Sequence, residues 1–235
     1  MRISKFLSVL SIAAISAFAT SANAIPVEIT SRALLGENDS VDWSAFGPVD
    51  TLVPNGSTVT SVTGNTLTVS NTIEPATPFR VFQQVPPVVT GFWNGNFAPL
   101  DAVLSPNGRP GDILIQFTTP VAGAGVQIQD GTLGIAFTTT LVVTDIHGVK
   151  TTFTESGVSN SNADNSAIFL GVMDTVADIV SIDYSSSGTG NGPGINKLDI
   201  IETTPLPAAL PLFASGLGAL GLLGWRRKRK AQAAA

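Results

Sequence analysis

Ile135-Ala136-Phe137-Thr138-Thr139-Thr140-Leu141-Val142-Val143-Thr144 is the stretch that decides the fold. Ile135, Phe137, Thr139, Leu141 and Val143 fall on one face at a period of two, which is the signature of a half-buried strand. Asp145-Ile146-His147-Gly148 follows, and then Lys150 to Glu155 alternates again. Two alternating runs around a turn rich in Asp and Gly predict a β-hairpin.

The same pattern extends outward. Ile113, Ile115 and Phe117 alternate, as do Val126 and Ile128, with Asp130-Gly131 as a turn after the latter. Further strands are predicted at Val27–Ser31, Thr58–Val62, Thr66–Asn71, Phe79–Gln84, Ala167–Val172, Ile179–Tyr184 and Ile195–Ile201. No window keeps a 3.6-residue period over three turns, and no fixed-period repeat indicates a β-helix. Gly188 to Gly194, with four glycines and Pro193, reads as a loop. Pro86 to Pro110, with five prolines around Trp93, reads as a long ordered loop over one end of the fold. Short strands, frequent turns and no intervening helices predict an all-β, antiparallel β-sandwich of jelly-roll-like form over residues 25–203.

The two ends do not belong to that domain. Residues 1–24 have the layout of a signal peptide. Arg2 and Lys5 form a positive start, an apolar stretch runs from Phe6 to Phe18, and Ala22-Asn23-Ala24 puts small residues at the two positions a signal peptidase must admit. Cleavage is expected before Ile25. Residues 204–235 carry the second signal. Pro205-Leu206-Pro207 stops the last strand. Leu206 to Trp225 is a charge-free run of twenty residues, and Arg226-Arg227-Lys228-Arg229-Lys230 follows. Twenty helical residues rise about 30 Å, one hydrocarbon thickness. Trp225 sits where an interfacial aromatic belongs, and five adjacent cations resist translocation. Residues 206–225 are therefore expected to form a transmembrane helix with a basic stop at 226–230, the basic end in the cytoplasm and the body outside.

Of the twelve cations in the chain, seven lie in these two ends, while all seventeen carboxylates lie between Glu28 and Glu202. The body keeps Arg32, Arg80, Arg109, Lys150 and Lys197, for a net charge of −12. Such a surface repels nucleic acid and anionic lipid and keeps an exported domain soluble. The absence of cysteine excludes disulfides, thiolate metal sites and thiol nucleophiles.

The segment from Pro205 through Phe213 to Lys230 closely resembles the PEP-CTERM sorting signal of Gram-negative bacteria that make exopolysaccharide. The resemblance implies recognition by an exosortase, a membrane-embedded enzyme that removes the hydrophobic tail and releases or attaches the body at the cell surface. Leu206 stands where the namesake motif has glutamate. The body is similar to uncharacterised proteins that carry this tail, through Gly36-Glu37-Asn38-Asp39-Ser40-Val41-Asp42-Trp43, Asn96-Phe97-Ala98-Pro99 and Asn165-Ser166-Ala167-Ile168-Phe169-Leu170-Gly171-Val172.

Candidate chemistry inside the body is sparse. His147 is the only histidine, lies in a turn, and has no Gly-x-Ser-x-Gly elbow to serve. A glycan hydrolase needs two carboxyl groups across a cleft, but Asp112, Asp130, Asp145, Asp174 and Asp178 sit at turns or strand ends, where turn chemistry explains them. No motif requires a cofactor. The metal alternative is calcium, held by hard oxygen ligands. The loop with Glu37, Asn38, Asp39 and Asp42 is the better candidate, through Asp39 and Asp42, and the loop with Asn160, Asn162, Asp164 and Asn165 is the second. The competing reading is loops capping their own backbone. Phe92, Trp93 and Phe97, beside Asn94 and Asn96, have the composition of a sugar-binding surface, and equally of a buried loop anchor. Trp43 is expected in the core or as a lid.

The expected function is therefore an exported, surface-sorted, non-catalytic protein of the extracellular matrix or envelope. Its expected partners are the secretion machinery and signal peptidase, then exosortase and membrane lipid, then exopolysaccharide, with no nucleic acid. A lectin-like module and a glycan-active hydrolase are the alternatives.

Overall fold

A computed structural model describes residues 25–84, 92–188 and 191–203. The signal-peptide and membrane-tail expectations lie outside these residues. Among the described residues no helix is long and apolar enough to cross a membrane.

Fifteen strands form two sheets among the described residues. In chain order they are β1 (Val27–Ile29), β2 (Asp39–Val41), β3 (Leu52–Val53), β4 (Ser57–Thr60), β5 (Thr66–Ser70), β6 (Phe79–Gln83), β7 (Ala102–Ser105) and β8 (Ile113–Val121). They continue as β9 (Gly123–Asp130), β10 (Ala136–Asp145), β11 (Lys150–Val158), β12 (Ile168–Met173), β13 (Ile179–Ser186), β14 (Pro193–Ile195) and β15 (Leu198–Ile201). One sheet runs β1-β12-β9-β14-β7-β6-β3, with β15 lying between β9 and β2. The other runs β11-β10-β13-β8-β5-β4. The strand pairings are antiparallel, with one isolated parallel bridge between Gln84 and Trp93. The all-β, two-sheet antiparallel architecture is the one predicted.

The alternation in β10 places Phe137, Thr139, Leu141 and Val143 inward, as the period of two requires. Leu141 and Val143 join Leu67, Val69, Ile113, Ile115, Ile182 and Tyr184 from their own sheet. From the facing sheet come Val126, Ile128, Leu170, Val172, Ile195 and Ile200. One polar tie crosses this core: Tyr184 of β13 donates its hydroxyl to the Leu170 carbonyl of β12 at 2.9 Å. That bond satisfies a fully buried phenol, and burial together with the nearby Asp199 carboxylate raises its pKa.

β9 is buried along its whole length. Its free edge is shared in succession by β14 and β15, because the chain breaks at Asn196-Lys197. The run expected as one strand over Ile195–Ile201 is thus two. Asn196 makes the break by turning into a buried polar network. Its Nδ2 donates to Asp101 Oδ2 at 2.8 Å and to Gln127 Oε1 at 2.7 Å. Its Oδ1 accepts from Arg32 and from the Gln127 amide, and its carbonyl accepts from the Trp43 indole at 2.7 Å. Trp43 is a core residue. Asp199, fully buried, is paired by Arg32 and by Lys197 at 2.7 Å.

Two loop expectations and one strand boundary are corrected. Pro193 and Gly194 belong to β14, not to a loop, pairing with Asp130 and Gln129. Proline's fixed φ suits an extended chain, and Gly194 is needed because a Cβ there would lie 2.5 Å from the Trp93 ring. The region Pro86 to Pro110 contains β7, which pairs with β6 and touches β14 at Leu104. The strand expected to run to Ser31 stops at Ile29. Arg32–Leu35 forms a single helical turn, α1, closed by Gly36 at φ 66°.

Candidate functional site

Two grooves and two loop clusters hold the candidate residues. The larger groove, about 430 Å³, is lined by Ile25, Pro26, Val143, Asp145, His147, Val149, Thr151, Asp174 and Asp178. It is built by the β10–β11 turn. Asp145 Oδ1 accepts from the amides of His147 and Val149, each at 2.8 Å, while Gly148 at φ 78° closes the turn. The Ile146 amide donates to the Asp178 carbonyl at 2.8 Å, tying this turn to the β12–β13 connection. From that connection come Asp174 and Asp178.

The groove is electrostatically loaded. Asp178 is pushed above the ordinary carboxylate range, first by burial and then by the Asp174 and Asp145 charges, with His147 opposing. Asp174 is 7% exposed. Its Oδ1 accepts only a long bond from the Val176 amide at 3.3 Å, and its Oδ2 has no partner, as is also true of Asp178 Oδ1. Among the described residues, no Lys or Arg lines the groove. Taken one by one these aspartates are turn residues, and Asp145 does hold its turn. Their meeting at one groove, beside the only histidine, was not visible because it depends on β10 and β13 being neighbours, with Asp145 opposite Ile179.

The second groove, about 280 Å³, is lined by Phe82, Phe92, Trp93, Asn94, Gly108, Gly131, Leu133 and Asn191. The aromatic trio divides here. Trp93 and Phe97 are buried with Val103, Ala167 and Phe82, so they anchor the loop rather than offer an open platform. Gln129 of β9 fixes this anchor, accepting from the Asn96 amide at 2.8 Å and from the Trp93 indole at 3.4 Å. Phe92 remains half-buried at the groove. Asn94 and Asn191 supply amides beside it.

The calcium candidates fold back on their own chain. Asp39 is buried in β2, not in a loop, and accepts from the amides of Ser40 and Thr63 at 2.8 and 2.9 Å. Burial pushes its carboxyl up, but bonds from Ser61, Thr63 and Ser40 outweigh it and hold the pKa below the ordinary value. Asp42 caps the 3₁₀ turn Trp43–Phe46 by accepting from the Ser44 amide at 2.8 Å. In the second loop Asn160 accepts from the Asn162 amide, and Asp164 accepts from the amide and hydroxyl of Ser166. Among the described residues, no three His, Cys, Asp or Glu side chains gather as a metal shell. The sorting residues Pro205, Leu206 and Pro207, the stop Trp225 to Lys230 and the cleavage residues Ala22 and Ala24 lie outside the described residues.

The class these observations define is a two-sheet antiparallel β protein with an acidic groove at one place and an aromatic-amide groove at another. No family model matches the chain, and no curated protein matches it.

Proposed function

We propose that this chain is an exported, non-catalytic surface protein, sorted through its C-terminal tail and associated with the exopolysaccharide matrix or cell envelope of a Gram-negative bacterium. The observation that carries the proposal is the charge-free run Leu206 to Trp225 ending in five consecutive cations. Such a segment prefers lipid to water and cannot readily pull its basic end across. The leader at residues 1–24 supplies export, and the resemblance to PEP-CTERM signals supplies the exosortase step. A body with a net charge of −12 suits an extracellular life without nucleic acid. We read the sandwich as jelly-roll-like, from the way the chain passes back and forth between the two sheets.

The test is fractionation of the native host. Association of the processed body with the surface matrix, and no turnover of matrix glycan, supports the proposal. Glycan turnover abolished by Asp178→Asn contradicts its non-catalytic part.

A second reading, sugar binding, is favoured by the groove that joins the half-buried Phe92 to Asn94 and Asn191. One aromatic face flanked by amides is what a sugar's C–H face and hydroxyls require. Glycan-array binding lost in Phe92→Ala, with the fold intact, supports it. A silent array with folded protein counts against it.

A further inference from the structure

We propose that the acidic groove is the seat of the new α-amino group that signal peptidase creates at Ile25, so that leader removal itself completes the fold. The inference rests on the reading that cleavage falls between Ala24 and Ile25. In that hydrolysis water adds across the Ala24–Ile25 peptide bond. Ala24 leaves with the carboxylate, and Ile25 keeps the amine, which takes up a proton. An uncharged amide nitrogen becomes an ammonium with three donors.

The fold brings Ile25, itself exposed, to the rim of the groove that holds the carboxylates. β1 pairs with β12 in a register that sets Val27 opposite Met173. Extending that antiparallel register by one residue brings Pro26 alongside Asp174, and Ile25 and Pro26 both line the groove with Asp145, His147, Asp174 and Asp178. Pro26 has a fixed φ and biases Ile25 toward an extended backbone, which narrows the directions the amine can take.

The groove also lacks what an ammonium would bring. Asp174 is buried, lines the groove, and has an Oδ2 without a partner. Asp178 Oδ1 is likewise unpaired. Buried carboxylate oxygens without donors are costly, and among the described residues no Lys or Arg side chain lines the groove to relieve them. Among the described residues the carboxylates do not converge in threes as a metal shell would require. They surround the groove singly, which suits a tethered ammonium better than a divalent ion. The titratable groups that line the groove with Ile25 are Asp145 and His147 from the β10–β11 turn and Asp174 and Asp178 from the β12–β13 connection. Burial raises Asp178 first and repulsion from Asp174 and Asp145 adds to it, and an ammonium in the groove would relieve that repulsion.

The test uses the processed protein isolated from its host. Mass spectrometry first identifies the N-terminal residue. Its amines are then reductively dimethylated with isotope-labelled formaldehyde and cyanoborohydride as the hydride donor, which keeps them protonatable, and titrated by NMR beside an unfolded peptide carrying the same label. The α-amine of Ile25 is expected to titrate about one pH unit or more above the ordinary value of about 8. Asp174→Asn and, separately, Asp178→Asn are each expected to bring it back toward that value, so a failure of one variant to fold leaves the other. An N-terminus other than Ile25 overturns both the cleavage reading and this inference. An Ile25 amine that titrates at the ordinary value, or that neither substitution moves, overturns the inference while leaving the cleavage reading intact.

Discussion

Asp183 shows how much a single carboxyl can reveal. It lies mid-strand in β13, with Oδ1 unpaired, and burial followed by the Asp112 charge pushes its pKa up to about 6 against the pull of Lys150. The unfolded value is about 4. Between pH 4 and 6 the folded chain therefore holds more protons than the unfolded one, and this group's contribution to stability falls as pH rises through that window. Asp183→Asn should remove the slope and stabilise the protein at pH 7 by about 1 kcal/mol, solvent screening reducing the full effect. Urea denaturation of wild type and variant at pH 4.5 and pH 7 reads it. Equal differences at the two pH values would refute the assignment. Trp93 gives the second residue-scale prediction. Buried against Phe97, Phe82, Val103 and Ala167, its truncation to Ala should cost about 3–5 kcal/mol by cavity formation. A Trp93→Ala variant that keeps its melting temperature would show that the ring is not the anchor described.

At the scale of elements, strands with clean alternation were legible and strands made by tertiary pairing were not. β10, β5 and β6 follow their apolar period closely. β7 and β14 sit in proline- and glycine-rich sequence whose local preference is for turns, and they are strands because β6 and β9 offer them edges. Asp39 read as a loop ligand for the same reason: β2 exists through its pairing with β15. The break at Asn196 was hidden too, since an Asn inside an apolar run does not announce that Asp101, Gln127, Arg32 and Trp43 meet there. Of the candidate sites, the turn roles of Asp145 and Asp42 were legible because Asx chemistry is local. The grooves were not, because each joins segments far apart in the chain. Gly194→Ala tests the packing of β14. Its Cβ would meet the rigid Trp93 ring at 2.5 Å, so the substitution should destabilise by about 1–3 kcal/mol and raise hydrogen exchange at the Ile195 and Gln129 amides. Unchanged exchange at those amides would show that β14 tolerates the extra carbon.

On the scale of the whole molecule, charge and hydropathy divide the chain into three parts with different solvents. The leader and the tail hold seven of the twelve cations and both long apolar runs, and the body holds every carboxylate. That partition is what the proposed export and sorting require, and under that proposal the ends, not the body, set the location. The most direct measurement is the intact mass of the protein taken from its native host, with the fraction in which it is found. The account predicts a chain that begins at Ile25 and is either held in membrane by the Leu206–Trp225 segment or found at the surface without it. A full-length chain from Met1 to Ala235, freely soluble in the cytosol, would contradict it.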